Sequence, residues 1–420
     1  MPTPTDNFAS EASLTSSPLP REGGRGDGSQ PSPQGALAHP LPREGGRGGG
    51  PHFGGDAHDG TRSVAIVGGG PAGMALALAL KLHGVAVEIF EARTRPAVRD
   101  DERVLALSDG ARQILDWLGV WSGLSPTPIE TIHISHRGGF GRSCLRADEL
   151  AVTALGWVLP ARDLIAALDT AVANAGIAYR ENVKVGAGDT AAFPLTAFAE
   201  GAVDPSAGKL RDYGQHAVLC SVSIAAPHRN VAFERFTNEG PVALLPLGDR
   251  YAVVLTCADE VAAQVRSLDD SAFLDLLQRR FGTRHRFTAA GPRTAYPLGL
   301  RYRKDPVAER QVWLGNAAQT LHPVAGQGFN LALRDIWELA QVLGGAADPG
   351  APELLAAYAR GRQADRRGAI GFTDLLLDSF ASDLPPLKHA RGAGLLALDL
   401  LPPLRDFVAK RMIYGARAWP

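Results

Sequence analysis

The segment from residue 63 to residue 91 constrains the fold of this chain more than any other. An apolar run, Ser63–Val67, leads into three glycines spaced G-x-G-x-x-G, and the helix-forming run Met74–Leu82 follows. A second apolar run, Val85–Phe90, ends at a glutamate. This order of strand, glycines, helix, strand and acid predicts a dinucleotide-binding βαβ unit. A glycine-rich turn in an ordinary βαβ unit is the less favoured interpretation.

Each position of this motif has a physical role. Gly68 permits the tight turn from strand to helix, Gly70 lets the backbone approach a pyrophosphate, and Gly73 lets helix and strand pack closely. The amino terminus of the helix offers N–H groups and a partial positive charge to that pyrophosphate. Glu91 stands 18 residues after Gly73, where a carboxylate can accept hydrogen bonds from an adenosine ribose.

The bulk composition argues against several classes of protein. The chain has 420 residues, enough for two domains with their own cores, and its formal net charge of -1 gives no electrostatic indication of nucleic-acid binding. Cys144, Cys220 and Cys257 are far apart and form no C-x-x-C pair. They indicate no disulfide framework, zinc site or redox dithiol, so we expect no metal and a reducing, cytoplasmic location. No apolar run reaches the ~18–20 residues that span a bilayer.

The first 60 residues differ from the rest of the chain. They are rich in Gly, Pro, Ser and Arg, and the octapeptide L-P-R-E-G-G-R-G occurs at 19–26 and again at 41–48. Such a segment cannot bury enough apolar surface to offset its ordering entropy, so residues 1–60 are predicted to be a disordered tail. One hypothesis is that a misassigned start codon adds this tail to the protein.

Beyond the βαβ unit, the chain alternates between helical and strand-like patterns. Residues 93–103 are predicted to be a polar loop. Predicted helices run from the N-cap Ser108 to Gly119, over 160–175 and over 270–281, begin again near Gly326, and fill most of the chain from residue 351. A hairpin is predicted at 131–145, and strand-like runs separated by turn residues lie at 217–224, 231–236, 242–247, 251–257 and 311–314. The sequence therefore predicts a dinucleotide domain assembled from distant segments, with an antiparallel-sheet domain inserted.

The segment Gly315–Asp335 reads GNAAQTLHPVAGQGFNLALRD. It resembles the second flavin motif of the FAD-dependent aromatic hydroxylases of ubiquinone biosynthesis. Other segments resemble the same family: Arg103–Ser108, Leu155–Pro160, Arg211–Gln215, Phe233–Phe236 and Gly240–Leu247. The resemblance runs from about residue 62 to residue 415, and the chain looks most like the branch that acts on 2-polyprenyl-6-methoxyphenol.

The resemblance implies the α/β fold of para-hydroxybenzoate hydroxylase-like flavoprotein monooxygenases. That fold has a Rossmann-type FAD-binding domain, an inserted antiparallel-sheet substrate domain and carboxy-terminal helices. The implied domain boundaries place FAD-binding parts at about 61–130, 155–205 and 305–350, the substrate sheet at about 131–150 and 211–300, and the carboxy-terminal helices at 351–420.

The resemblance also implies a set of cofactor contacts. Gly315 and Asn316 would meet the ribityl–pyrophosphate region. The turn containing Gly326, Gln327 and Gly328 would aim the next helix at the flavin pyrimidine ring, where a helix amino terminus stabilises the negative charge of reduced flavin. Two further residues are expected at the cofactor, although a surface arginine and a solvated helix face are the alternatives: Arg103 near the phosphates, and Gln113.

For other motif residues the sequence gives less support for a catalytic or cofactor-binding role. His322 precedes a proline, and a structural role is favoured over proton handling. Tyr213 lies either near the substrate cavity or at a domain junction. The family usually has an Asp-Gly pair at a cofactor contact, and here the nearest match is Glu200-Gly201. Asn316 also replaces the aspartate of many relatives. No catalytic residue is nominated.

The activity that the resemblance implies is FAD- and NAD(P)H-dependent hydroxylation, with O2, of a polyprenylated phenol, namely 2-polyprenyl-6-methoxyphenol. NAD(P)H would dock transiently. A hydroxylase acting at another ring carbon and a non-catalytic flavoprotein subunit of a quinone-biosynthesis complex stay open as alternatives. A flavin-dependent halogenase would need a Trp-x-Trp pair, which the sequence lacks.

A polyprenylated substrate raises the question of membrane contact. Leu395–Leu404 is apolar, and five basic residues lie nearby: Arg391, Arg405, Lys410, Arg411 and Arg417. This stretch could form a peripheral contact with the inner membrane. The favoured interpretation is that its apolar face covers the domain and its charges are solvated.

Overall fold

The computed structural model describes residues 62–186, 188–201, 203–322, 326–381 and 385–415. Within these ranges, side chains are described except at residues 376–388. The predicted disordered tail, Arg417 and residues 323–325 of the second flavin motif lie outside the described residues.

The described strands are numbered in chain order. They are β1 (Ser63–Val67), β2 (Ala86–Phe90), β3 (Val104–Ser108), β4 (Thr127–Ile129), β5 (Thr131–His136), β6 (Arg142–Arg146), β7 (Gly156–Pro160), β8 (Ala178–Arg180), β9 (Leu195–Phe198), β10 (Gly208–Ile224), β11 (Val231–Phe236), β12 (Val242–Leu247), β13 (Arg250–Ala258), β14 (Phe287–Ala290), β15 (Thr294–Arg303), β16 (Val307–Ala308), β17 (Gln311–Trp313) and β18 (Gln319–Thr320).

The described α-helices follow the same convention. They are α1 (Pro71–Leu82), α2 (Arg95–Arg99), α3 (Asp109–Trp117), α4 (Ala161–Asn174), α5 (Asp259–Ser267), α6 (Asp270–Phe281), α7 (Gly328–Leu343), α8 (Pro352–Ala381), α9 (Pro385–Leu400) and α10 (Pro402–Tyr414).

The first sheet has the order β16-β17-β9-β1-β2-β8, and its strands are parallel except for the β16–β17 pair. β1 is almost wholly buried, as its unbroken run of small and branched apolar residues predicts for a parallel strand covered on both faces. The helix α1 is buried along nine consecutive residues, Ala72–Leu80, and packs against α4 and α7. This layer is the Rossmann-type half of the predicted fold.

The second sheet contains nine described strands, in the order β18-β15-β10-β13-β12-β11-β5-β6 with β14 beside β10. The predicted antiparallel meander is present, with β11 and β12 at their predicted bounds. One prediction was wrong: the sheet is not antiparallel throughout, because β5 pairs with β11 in parallel. The hairpin β5–β6 comes from much earlier in the chain, so no short turn dictates how it joins.

Smaller differences from the sequence prediction have local causes. Residues 93–103 contain the short helix α2, because Thr94 accepts a hydrogen bond from the Ala97 N–H and Pro96 suits a first helical turn. α7 begins at Gly328 rather than near Gly326. α5 was not predicted. Ser108 caps α3 as predicted, with its side chain accepting from the Ala111 N–H.

A small third sheet, in the order β3-β7-β4, contributes apolar residues to the cores of both larger layers. The chain ends in α8, α9 and α10, as predicted. Within the described ranges, no helix is both long and apolar enough to cross a membrane. The predicted fold class is confirmed: an α/β protein with a Rossmann-type half, an inserted and largely antiparallel sheet, and carboxy-terminal helices.

Candidate functional site

The loop between β1 and α1 tolerates only glycine at two of its motif positions. Gly68 has φ +109°, and a Cβ built on it would lie 2.5 Å from the Cβ of Glu200. A Cβ on Gly73 would lie 1.8 Å from the carbonyl oxygen of Gly68. Gly68 therefore makes the turn and Gly73 makes the close packing, in the roles that the sequence predicted for them.

Gly70 differs from its neighbours because the space beside it is open. A Cβ added there would meet no atom within 4 Å. α1 begins directly afterwards, with Pro71 in its first turn and no side chain capping its amino terminus. Gly70 and Pro71 line a cavity of about 350 Å³. Open space in front of an uncapped helix amino terminus suits a diphosphate, which supplies the missing acceptors and the negative charge.

Glu91 lies against the glycine loop, in the position expected for a ribose-binding acid. It is 1% exposed. One oxygen accepts a hydrogen bond from the Gly69 N–H at 2.7 Å, and the other accepts from the backbone and side-chain N–H groups of Arg93 at 3.0 Å each. These three hydrogen bonds fix the Glu91 carboxylate at the loop, and its contact with a ribose stays a prediction.

Two residues from distant parts of the chain, Glu200 and Tyr179, contact the glycine loop. Glu200 follows β9, and its backbone N lies 2.9 Å from the position of a Cβ on Gly68. Burial, together with the charge of Glu91, raises the pKa of the Glu200 carboxyl. The Tyr179 hydroxyl donates to the carbonyl oxygen of Gly69 at 3.2 Å. Glu200, which replaces the aspartate usual in the family, therefore lies against the glycine loop. Tyr179 was not predicted from the sequence, because a single tyrosine in a short strand carries no signal.

Arg103 and Gln113 occupy different surroundings. Arg103 lines the same cavity as Gly70, and its guanidinium donates to both oxygens of Asp101, at 2.6 Å from Nη2 to Oδ2. The hydrogen bond to Asp101 raises the pKa of Arg103. The Gln113 amide donates to Asp109 at 2.9 Å, beside the hydroxyl of Tyr414. The fold thus brings Arg103 to the glycine loop, while the cofactor contact of Gln113 stays a prediction.

The first part of the second motif meets the glycine loop. Gly315 has φ +55° in a short 3₁₀ turn, and a Cβ on it would lie 3.4 Å from the Cβ of Ala72 in the first turn of α1. Asn316, the next residue, is exposed. The order of strands explains this meeting, because β17 and β1 both flank β9. Two motifs more than two hundred residues apart therefore converge at one end of the parallel sheet.

The second part of this motif forms the start of α7. Gly326 has φ +59°, and Gln327 is buried, with its amide donating to the carbonyl oxygen of Met412 at 3.2 Å. Among the described residues, no side chain caps α7, and none has an atom within 4 Å of a Cβ built on Gly328. The buried side chain of Asn330 binds Gly326, Ala106 and the Ser108 N–H, which fixes the turn against β3.

His322 and Tyr213 pack together at the junction of the two layers. Their rings meet edge to face, with centroids 5.6 Å apart. Burial lowers the pKa of His322 to about 4, so its imidazole is neutral at pH 7. The Tyr213 hydroxyl donates to Asp374 of α8 at 2.7 Å. These contacts favour structural roles for both residues.

A cavity of about 260 Å³ lies between the second sheet and the third. Its apolar wall comes from β10, β12 and β13, and the opposite wall from β3 and β7 with the loop before β3. Asp101 belongs to this wall and also lines the cavity beside Gly70. The site therefore consists of a polar space at the glycine loop and an apolar space over the sheet. Among the described residues, no cluster of side chains could hold a metal ion.

A cluster of charged side chains lies between α7 and α8. Arg334 donates to Asp365 at 2.7 Å, and Arg362 donates to both Asp335 and Asp365 at 2.6 Å. All four side chains are at most 4% exposed. Burial opposes ionisation of Asp365, but Arg334 and Arg362 outweigh it and hold its pKa down to about 2. These pairings favour a structural role for Arg334 and Asp335.

With this geometry in view, comparison with known proteins decides the family. Residues 61–191 and 194–373 match the FAD binding domain family. The chain belongs to this family. The predicted resemblance is thereby confirmed, and this flavoprotein is an FAD-dependent monooxygenase, for which NAD(P)H is the typical reductant.

Individual relatives agree with this assignment. The flavoprotein is 33% identical over 379 residues to a ubiquinone hydroxylase, UbiL, of Rhodospirillum rubrum, covering 83% of this chain and 88% of the relative. It is 30% identical to the 3-demethoxyubiquinol 3-hydroxylase of Escherichia coli, covering 80% and 94%. The crystal structure of p-nitrophenol 4-monooxygenase PnpA from Pseudomonas putida has the same fold, with a TM-score of 0.65, 16% identity and coverage of 84% and 98%.

Proposed function

We propose that this flavoprotein hydroxylates a polyprenylated phenol in ubiquinone biosynthesis, and that 2-polyprenyl-6-methoxyphenol is its substrate. The observation that carries the proposal is the largely apolar cavity over the second sheet, which has room for an aromatic ring and shares two lining residues, Asp101 and Glu102, with the cavity of the glycine loop. The names of the relatives from Rhodospirillum rubrum and Escherichia coli support the substrate class.

In this proposal the residues of the two flavin motifs hold FAD. The Gly68–Gly73 loop and the amino terminus of α1 bind the diphosphate, with Arg103 and Gly315–Asn316 nearby, and Glu91 binds the ribose. The turn Gly326–Gly328, which leads into the amino terminus of α7, would lie at the flavin ring. When bound and reduced by NAD(P)H, FAD supplies the activation of O2 for transfer of one oxygen atom to the phenol.

The chain's own contribution is positioning and the exclusion of water. Apolar residues from β10, β12 and β13 line one wall of the cavity and offer a phenol ring apolar contact there. If the cavity fixes the orientation of the phenol ring, the reaction of the ring with the activated oxygen becomes effectively intramolecular. Water excluded from the cavity cannot divert the activated oxygen from the ring.

The carboxy-terminal helices supply the proposed route for the prenyl tail. The inner face of α10 places Ala409, Met412 and Ile413 around a small apolar cavity of about 90 Å³ that also touches Gly326 and Gln327. Around the turn between α9 and α10, five large apolar side chains are exposed: Leu396, Leu400, Leu401, Leu404 and Phe407. We propose that this turn rests on a bilayer surface and that the tail follows α10 inward.

Turnover of a defined substrate tests the proposed function. The purified, FAD-loaded protein is expected to oxidise NADPH or NADH faster when 2-prenyl-6-methoxyphenol is added, with a product 16 mass units heavier as one oxygen atom is inserted. Bound FAD that neither nicotinamide reduces, with no product, would contradict the proposal and support a non-catalytic subunit. Expression in strains that each lack one quinone hydroxylase then identifies the ring carbon.

A second candidate function is hydroxylation at another ring carbon. The relative from Escherichia coli, named as a 3-demethoxyubiquinol 3-hydroxylase, favours it. Rescue of a strain lacking that enzyme, without rescue of a strain lacking the hydroxylase that acts on 2-polyprenyl-6-methoxyphenol, would establish this alternative.

Vesicle binding tests the membrane contact separately. The Leu400→Ser/Leu404→Ser variant is expected to lose co-sedimentation with liposomes, because it removes two exposed leucines from the turn. Leu210→Ser/Leu375→Ser removes two comparably exposed leucines elsewhere and serves as the control. Equal sedimentation of all three proteins would contradict the proposed contact.

A further inference from the structure

A second large cavity lies away from both spaces of the flavin site. It has a volume of about 690 Å³ and lies between the paired ends of β10 and β15 and one face of α8. It shares no lining residue with the cavity beside Gly70 or with the cavity over the sheet. Its volume falls within the range of small-molecule sites in proteins.

The walls of this cavity are strongly basic. Six cationic side chains line it: Lys209, Arg303, Lys304, Arg360, Arg366 and Arg367. Among the described lining residues the one carboxylate is Asp305, and Asp204 lies close enough to influence Arg303. Arg360 and Arg367 are exposed and seven positions apart on α8, so they project from the same face, and neither has a carboxylate partner among the described residues.

Two of the arginines are held in fixed positions at the wall. Arg366 is 8% exposed and donates to the side chain of Gln319 at 2.9 Å and to the carbonyl oxygen of Arg303 at 3.1 Å. The Arg303 guanidinium lies 3.7 Å above the centre of the Trp313 ring. Its Nε is buried and has no hydrogen-bond partner in the described part of the chain. Burial also lowers the pKa of Arg303.

These features are costly unless an anion is bound. Like charges in a concave space repel one another, and a buried donor without an acceptor loses its hydration without compensation. Next to it, between α7 and α8, Arg334 and Arg362 each meet a buried carboxylate. A phosphate offers several oxygens in the geometry that guanidinium groups bind best.

We infer that this cavity binds the phosphate groups of a small phosphorylated molecule, with a nucleotide as the best match. A single phosphate or pyrophosphate would leave much of the volume unfilled, and the ring of Tyr302 in the wall offers a face for a base. A nucleotide and free inorganic phosphate or pyrophosphate would present the same phosphate groups to these side chains. The titration distinguishes these two kinds of ligand.

Calorimetric titration of the full-length, FAD-loaded protein tests the inference. Inorganic pyrophosphate and 2′,5′-ADP are each titrated at low salt, and both are expected to bind with an affinity that falls as salt is raised. The Arg360→Gln/Arg367→Gln variant is expected to weaken both by about tenfold or more, because it removes two charge-assisted contacts. Tighter binding of 2′,5′-ADP identifies a nucleotide site, and tighter or equal binding of pyrophosphate identifies a free phosphate ligand.

The control variant makes the same change in net charge outside the basic cavity. Arg279→Gln/Arg286→Gln neutralises two exposed arginines, on α6 and on the loop after it, that do not line the cavity. It is expected to bind both probes like the native protein. The inference is overturned if neither probe binds, or if both bind the Arg360/Arg367 variant as tightly as the native protein. Binding is measured without turnover, so failure of the proposed hydroxylation does not affect the outcome.

Discussion

The glycine loop after β1 and the charge cluster between α7 and α8 both bury polar groups, but they satisfy them differently. In the cluster, Arg334 and Arg362 are paired with Asp335 and Asp365 by hydrogen bonds of 2.6–2.7 Å. In the loop, the first turn of α1 has no side-chain cap and faces open space. Two carboxyl groups, Glu91 and Glu200, lie near enough there for one to raise the pKa of the other.

This difference separates a structural site from a ligand site. A buried charge without a counter-charge costs free energy, and in the cluster each arginine has a carboxylate partner. A helix end without acceptors, beside a cavity, becomes complete when an anion arrives. Changes in the cluster should therefore alter stability alone, whereas changes at the open side of the loop should alter FAD binding alone.

The largest effect is expected from Gly73→Ala, which should reduce both FAD affinity and the stability of the fold. The new Cβ would lie 1.8 Å from the Gly68 carbonyl oxygen, a backbone atom that cannot move aside without distorting the turn. We expect FAD affinity to fall by more than about 100-fold and the free energy of unfolding to fall by about 2–4 kcal/mol. Flavin absorbance after dialysis and urea unfolding measure the two quantities. Retention of FAD would show that the loop does not hold the diphosphate.

Asp365→Asn comes next and is expected to affect stability alone. It leaves two buried arginines short of a charge, which costs about 3–5 kcal/mol in comparable buried pairs. The FAD dissociation constant of the folded protein should not change. Asp348→Asn is the control, because the Asp348–Arg310 pair is about half exposed and should contribute less than about 1 kcal/mol. Weaker FAD binding in Asp365→Asn would mean that the cluster also serves the cofactor.

Gly70→Ala is expected to show the converse behaviour. In the described part of the chain no atom lies within 4 Å of the new Cβ, so the free energy of unfolding without FAD should change by less than about 0.5 kcal/mol. The methyl group would occupy the space that the diphosphate needs, so FAD affinity should fall by about tenfold or more. Gly394→Ala, which also meets no atom, lies in α9 and controls for adding a methyl group. Equal FAD affinity in all three proteins would refute the assignment of the open space.

The smallest expected effect concerns pH and Glu200. Burial and Glu91 raise the pKa of Glu200 above its ordinary value of 4.5. The folded protein therefore holds this proton more tightly than the unfolded chain, and the associated stability is present below that value and lost as pH rises through the folded-state pKa. Relative to the native protein, Glu200→Gln should therefore gain stability between pH 4 and pH 7.

Urea unfolding of the FAD-free protein at pH 4 and pH 7 measures this difference. Glu309→Gln, at an exposed position, is the control and should show the same pH dependence as the native protein. A Glu200→Gln protein that loses stability relative to native as pH rises would indicate that the Glu200 carboxylate is stabilised in its charged form, contrary to the pKa direction.

Local patterns predicted much of this molecule. The βαβ unit, the N-cap at Ser108, and strands β11 and β12 follow from periodicity, capping residues and turn residues within a few positions. The contacts that build the site mostly do not. Asn330 accepts a hydrogen bond from the Ser108 N–H across 222 positions, and Tyr179 reaches Gly69 across 110.

Those distant contacts depend on strand order, which local propensity does not encode. The parallel pairing of β5 with β11 illustrates this: each strand was predicted, but their adjacency was not. The resemblance to a known family supplied the second flavin motif, and the fold then placed its Gly315 against α1. The basic cavity beside α8 had no sequence signal, because its arginines and lysines come from three separate segments.

The strand order β17-β9-β1 has a consequence for biosynthesis on the ribosome. β1 emerges early, its neighbour β9 follows about 130 residues later, and β17 follows more than 100 residues after that. A nascent chain that stops before α7 lacks one of the two helix ends that we propose bind the cofactor. Truncated translation products should therefore be colourless, and flavin uptake can report that most of the polypeptide has been made.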